Sequence, residues 1–245
     1  MTTPHIALFD ASVGQTPAEH NFRRELDARV SAFKVSESDV PVWPGADGSW
    51  PYDGVVISGS QTSVYDTEPW IETLEELVRD LHELGVPMLG VCWGHQFLAE
   101  SLGGCVAAMD GYELGYRSIE RYDDSPLFAD FPAEFDAFET HSDEVVRLPN
   151  GAVELAGNDR SCQAFSLGPT FGVQFHPEYD IETVRSVTEG KRSEGVDPER
   201  IDAVLADATP ERHAETQTAT RVFENFLTVV DAFDGQPPET VEVES

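Results

Sequence analysis

Pro87-Met88-Leu89-Gly90-Val91-Cys92-Trp93-Gly94-His95-Gln96 is the stretch around which the 245-residue chain is organised. An apolar run from Val86 to Val91 leads into it, and a helical pattern with Phe97 and Leu98 leaves it, stopping at Gly103-Gly104. Strand, sharp turn and helix follow one another with a cysteine at the apex. Glycines two residues either side of that apex let the helix fold back against the strand, because any larger side chain would strike the crossing backbone. Such a turn is a nucleophile elbow. It places the thiol at a helix N-terminus, where unpaired N–H groups and the positive end of the dipole favour a thiolate. An ordinary strand-to-helix turn burying an inert cysteine is the competing reading.

Outward from the elbow, the chain alternates strand and helix. His5 to Phe9 reads as a short buried strand, and Thr16-Pro17-Ala18-Glu19 as a capping box opening a helix with Phe22, Leu26 and Val30 on one face. Strands are predicted at 32–35 and 54–57. A helix is predicted from Glu68 to Leu84, with Ile71, Leu74, Leu77, Val78 and Leu81 inward. Trp43 and Trp50 lie in a proline-rich loop as packed covers. After Cys105 the pattern becomes short alternating runs, 113–120, 134–140, 153–156 and 162–167, which predict antiparallel strands extending the sheet. A last strand, Phe171 to Phe175, enters His176-Pro177-Glu178. Asp197-Pro198 and Thr209-Pro210 mark helix starts, and Val222, Phe226, Val229, Val230 and Phe233 form a stripe that docks on the sheet. The expected fold is α/β, a three-layer open and mainly parallel sheet with flanking helices and an antiparallel extension. One domain is expected over 1–234, with a catalytic core at about 5–190, C-terminal helices at about 197–234 and an acidic disordered tail over 235–245.

A nucleophile needs a base, and the base needs a partner to hold its ring. His176 and Glu178 are two residues apart in an extended segment, so their side chains point the same way, with Pro177 stiffening the backbone between them. Gly90-Val91-Cys92-Trp93-Gly94-His95-Gln96, joined to Gln174-Phe175-His176-Pro177-Glu178, resembles the class I glutamine amidotransferases. The likeness extends over roughly residues 5 to 190. It implies a flavodoxin-like α/β fold and a triad of Cys92 as nucleophile, His176 as general base and then acid, and Glu178 as the residue orienting His176. It further implies hydrolysis of the glutamine side-chain amide through a γ-glutamyl thioester, without a cofactor. By the same resemblance the oxyanion hole is the backbone N–H of Trp93 with one from Gly59 or Ser60. Here Gly59-Ser60-Gln61 departs from the commoner Gly-Gly-Pro, and serine resists the positive φ that glycine tolerates. Gln96 matches a substrate-contacting position, with helix packing as its alternative. His141-Ser142-Asp143-Glu144-Val145 resembles the segment of the GMP synthase amidotransferase part that holds glutamine's α-substituents; a satisfied loop pair of His141 and Asp143 is the alternative. His95 is read as structural.

Two activities suit this constellation. The first is a GMP-synthase-like amidotransferase whose ammonia passes to a separate ATP-dependent synthetase, since the chain has no Gly-x-x-x-x-Gly-Lys phosphate loop. The second is a stand-alone γ-glutamyl peptidase acting on a γ-linked compound. The His141 to Val145 segment is closer to the GMP-synthase branch and puts the first ahead. From another class, an inactive regulatory module would need the triad broken, and it is intact.

Composition sets the remaining bounds. No apolar run reaches 18 residues and no signal-like N-terminus is present, so a cytoplasmic protein without membrane partners is expected. Cys92, Cys105 and Cys162 lack metal-ligand spacing, which predicts neither a disulfide framework nor a metal site. Forty-six acidic against fifteen basic residues leave a formal charge of −31, and Lys34 and Lys191 are the only lysines. No basic patch is available for nucleic acid. Acids spread through the whole chain resemble the surfaces of proteins from salt-in halophiles, where a Debye length of about 3 Å screens self-repulsion. The fold is therefore expected to need salt. Circular dichroism should give a markedly higher unfolding midpoint in about 3 M than in about 0.1 M KCl, and equal midpoints would contradict the reading.

Overall fold

The computed structural model describes residues 3–233. Strand β1 (His5–Phe9) pairs in parallel with β2 (Arg29–Phe33) on one side and β3 (Gly54–Ile57) on the other. β4 (Met88–Val91) follows β3, and β9 (Thr170–Val173) follows β4, both in parallel register. Beyond β9 the direction alternates through β8 (Cys162–Leu167), β7 (Val153–Gly157), β5 (Cys105–Arg121) and β6 (Glu134–Arg147). The nine-stranded order among the described residues is β2-β1-β3-β4-β9-β8-β7-β5-β6. Its first five strands have the doubly wound order in which the chain reverses direction between β1 and β3. Ligands bind there, beyond the carboxyl ends of the strands. Cys92 follows β4 at that edge, and Ser58 to Gln61 follow β3.

Both faces of the parallel strands are covered, which is why they read as continuous apolar runs. Ile6 and Leu8 face α1 (Ala18–Glu25) and α7 (Arg221–Ala232), packing with Phe22, Val222, Phe223, Phe226 and Val230. Ala7 and Phe9 point the other way, to α2 (Pro69–Glu83) and α3 (Trp93–Ser101), with Trp70, Leu74, Val78, Phe97 and Leu98. The three-layer architecture follows. A third cluster, with Leu114, Tyr116, Phe138, Val184 and Ile201, seats α4 (Ile181–Gly190) and α5 (Pro198–Asp207) on the antiparallel strands. The two Asx/Thr-Pro starts form as expected: Asp197 accepts from the Glu199 N–H, and Thr209, at the head of α6 (Pro210–Glu215), from the Arg212 N–H. Trp50 packs edge-on to Tyr52, and Trp43 donates to Asp80 at 2.8 Å. No helix among the described residues is long and apolar enough to cross a membrane.

Several local expectations need correction. The first helix ends at Glu25, and Val30 belongs to β2, paired with Ile6. Its four-residue spacing from Phe22 and Leu26 is a coincidence, because pairing with β1 captures the segment. No capping box forms either. Thr16 bonds the Ser12 hydroxyl at 2.6 Å and only distantly receives the Ala18 N–H, while Glu19 pairs with Arg23. The final strand stops at Val173, after which Gln174 and His176 donate backbone N–H bonds to Gln163 and Phe138. The antiparallel strands run longer than the alternation suggests, so His141 to Asp143 lie within β6 rather than in a loop. Between Ala108 and Glu113 the register of β5 slips, and a bulge with Gly111 at positive φ lifts Tyr112 from the ladder. The expected tail at 235–245 lies outside the described residues.

Candidate active site

Cys92 is held at φ 53° and ψ −105°, a conformation an ordinary side chain avoids. Close packing on both sides enforces it. A Cβ on Gly90 would stand 2.2 Å from the Gly94 carbonyl oxygen, and one on Gly94 would stand 2.4 Å from that of Ile57. Only glycine lets α3 cross β4 and β3 this closely. The Cys92 N–H donates to Val173 at 2.8 Å, tying the elbow to β9, the strand that delivers the histidine.

His176 and Glu178 sit beside the elbow as expected. The ring Nδ1–H donates to Glu178 Oε1 at 2.8 Å, leaving Nε2 for chemistry. Both side chains are buried. Nε2 has no conventional acceptor among the described residues, and the charge acting on it is the Cys92 sulfur. Burial alone would lower the His176 pKa, but the anionic Cys92 and Glu178 outweigh it and raise it to about 10. The imidazolium form of His176 is thereby favoured beside the Cys92 sulfur. Tyr179 stacks on the ring with centroids 4.1 Å apart at 14°, and Arg24 donates to the Glu178 carbonyl at 2.5 Å. Both help to fix the His176-Glu178 pair in place. Apart from its adjacency to Glu178, nothing in the sequence marks Tyr179 for this contact.

Gly59 brings the loop after β3 over this pair, where an added Cβ would lie 3.3 Å from His176 Cε1 and 3.8 Å from Cys92 Cβ. Neither Gly59 nor Ser60 has positive φ, so Ser60 carries no backbone strain. Among the described residues nothing accepts from the N–H groups of Gly59, Ser60 or Trp93. Trp93 is the first residue of α3, where such a free donor is intrinsic. The loop is anchored by Gln61, which accepts from the Val13 N–H at 2.7 Å, and by Ser58, which accepts from Ala11 at 2.9 Å.

The remaining expected contacts are engaged in structure. Gln96 donates to the Asp143 carbonyl at 2.8 Å and to Gln174 Oε1 at 3.0 Å. Asp143 receives the hydroxyls of Ser63 at 2.6 Å and Tyr65 at 3.0 Å. His141 donates from Nδ1 to the Asp143 carbonyl, and its Nε2 stands 3.1 Å from Glu113 and 3.3 Å from Glu139. Burial opposes the charge on His141, yet the two carboxylates raise its pKa to about 10. Burial pushes Glu139 up, whereas Glu113 is drawn down against burial by His141, Asn158 and Arg117. The ligand atoms of Glu113, Glu139 and His141 lie within 4.8 Å of one another, a spacing a divalent ion would accept. A bridging imidazolium serves the same charges. No cysteine spacing could reveal this cluster, because cross-strand pairing of Glu113 with His141 creates it. His95, as expected, is structural: burial lowers its pKa to about 3, and its ring lies on Gly172 and Phe165.

Two cavities meet at Cys92 and Thr140. The smaller, about 100 Å³, is bounded by Trp93, Gln96, Tyr112 and 141–143. The larger, about 210 Å³, is bounded by His176, Gly59, Tyr179 and the start of α1. Ser60, Gln61, Lys191 and Glu194 border both.

An elbow cysteine beside a buried His-Glu pair on an α/β sheet is an arrangement suited to thiol-based acyl transfer. The family model for glutamine amidotransferase class-I matches residues 9–187, and the chain belongs to that family. It is similar to gamma-glutamyl peptidase 5 of Arabidopsis thaliana, 30% identical over 240 residues, covering 90% of this chain and 94% of that one. It is also 38% identical over 126 residues to the GMP synthase [glutamine-hydrolyzing] of Thermomicrobium roseum, spanning 51% of this chain but only 23% of that protein. A glutamine amidotransferase structure from Thermotoga maritima superposes with TM-score 0.74 at 21% identity, over 93% of this chain and 99% of that one.

Replacing Glu178 with Gln removes one of the two charges that keep His176 protonated. The alkaline limb of kcat/KM should then move to lower pH by at least about one unit, with kcat falling roughly a hundredfold. An unmoved limb in the pH profile would show that Glu178 does not act on His176.

Proposed function

We propose that the protein hydrolyses γ-glutamyl amide bonds through a thioester on Cys92. The observation that carries this reading is the buried Cys92, His176 and Glu178 arrangement at the mouth of the two cavities. The thiolate attacks the γ-carbonyl carbon, and the developing oxyanion takes the free N–H groups of Trp93 and of Gly59 or Ser60. One such donor is worth about 3 kcal/mol, or roughly a hundredfold in rate. His176 then gives its Nε2 proton to the leaving nitrogen as the C–N bond breaks. In the second half Nε2 takes a proton from water, the hydroxide attacks the thioester carbonyl, and glutamate and the thiolate are released.

The leaving group must lie on the side from which His176 can protonate it, and that side is the larger cavity. Ammonia needs no such room, whereas an amino acid or short peptide does. This supports a γ-glutamyl peptide as substrate alongside glutamine, and the match along nearly the whole length of a gamma-glutamyl peptidase agrees with it. It reverses the order suggested by the His141 to Val145 segment, whose side chains are held within β6. The second reading, an amidotransferase subunit feeding a separate ATP-dependent synthetase, is favoured by the 38% identity to GMP synthase.

Ammonia release from glutamine and amine release from γ-glutamyl dipeptides, each assayed with and without a candidate synthetase, separate the two. Dipeptide turnover without any partner is the expected result. Turnover of glutamine alone, accelerated by a synthetase, would support the subunit reading instead, and no turnover of either would overturn the proposal.

A further inference from the structure

Where the two cavities join stands one cation with no part in the bond-breaking steps above. Lys191, just after α4, is the one Lys or Arg among the described residues bordering either cavity. Its side chain is 14% exposed and lies over the Tyr112 ring at 5.3 Å, so the bulge in β5 serves as its floor. Glu194 holds the ammonium at 2.8 and 3.1 Å, and that carboxylate is itself half exposed. Thr16, Pro17 and Ala18, the opening of α1, also line the larger cavity.

When a γ-glutamyl dipeptide is cleaved, the departing amino acid carries a carboxylate one carbon from the nitrogen that His176 protonates. In a chain of net charge −31, with Glu178 and Glu194 also lining the larger cavity, that carboxylate is disfavoured without a local cation. We propose that Lys191 is the subsite for the α-carboxylate of the leaving amino acid, which makes the enzyme selective for γ-glutamyl amino acids with a free carboxyl end. The inference rests on the peptide reading of the larger cavity. Lys191 acts on binding and positioning, with no part in bond breaking. Burial opposes its charge, but Tyr112 and Glu194 raise its pKa, so the cation persists through the working range.

The test compares γ-glutamylglycine with γ-glutamylglycinamide, which differ only in the carboxylate, at one fixed salt concentration. The wild-type protein should prefer the free acid. In Lys191→Met the ratio of the two kcat/KM values should fall about tenfold, carried by KM for the acid. Lys191→Arg should keep most of the preference, and circular dichroism checks that each variant is folded. A ratio unchanged in Lys191→Met, or equal loss on both substrates, would overturn the subsite while leaving the peptide reading standing. If the wild-type protein cleaves glutamine and neither dipeptide, both fail together.

Discussion

The site depends on one close approach, that of α3 to the ends of β3 and β4. Gly90 and Gly94 permit contacts that would put an added Cβ at 2.2 and 2.4 Å from backbone oxygens, and this crossing holds Cys92 at positive φ. A strained residue persists only when its surroundings over-determine it. Here the surroundings are two apolar layers on opposite faces of the parallel strands, with β9 bonded to the Cys92 N–H. The same crossing aims the sulfur out of the sheet edge and frees the Trp93 N–H beside it. The proposed nucleophile and the proposed oxyanion donor thus come from one backbone feature.

Charge then decides the state of the histidine beside the sulfur. His176 is buried, which disfavours an imidazolium, yet the neighbouring Cys92 sulfur and Glu178 carboxylate raise its pKa to about 10. A low-dielectric pocket strengthens such attraction as much as it penalises an unpaired ion. The site repeats the device beneath its floor, where Glu113 and Glu139 flank His141. Acids thus hold both of these buried histidine cations in place. Lys191 between Glu194 and the Tyr112 ring is a third instance.

The elbow, the His-Glu pair and the parallel sheet were legible in the sequence because each leaves a local mark: glycines at fixed offsets, a proline-locked dyad, and unbroken apolar runs. Val30 misled for an equally local reason, since a four-residue spacing fits a helix face and a β-branched edge strand alike. What stayed hidden depends on register. Glu113 meets His141 only through strand pairing, Tyr112 reaches the site only because β5 bulges, and Lys191 arrives from a helix end fifteen residues beyond the triad histidine. The role suggested for Gln96 was half visible: its position on α3 faces the smaller cavity, but its amide N–H groups are bound to Asp143 and Gln174.

The central claim is that Cys92 becomes covalently acylated by the γ-glutamyl group. Rapid acid quench of the protein during turnover, followed by mass spectrometry of its peptides, tests it directly. A single γ-glutamyl adduct on the Cys92 peptide, absent from Cys105 and Cys162, is the expected result. Turnover with no adduct at any quench time, or an adduct on another residue, would contradict the account.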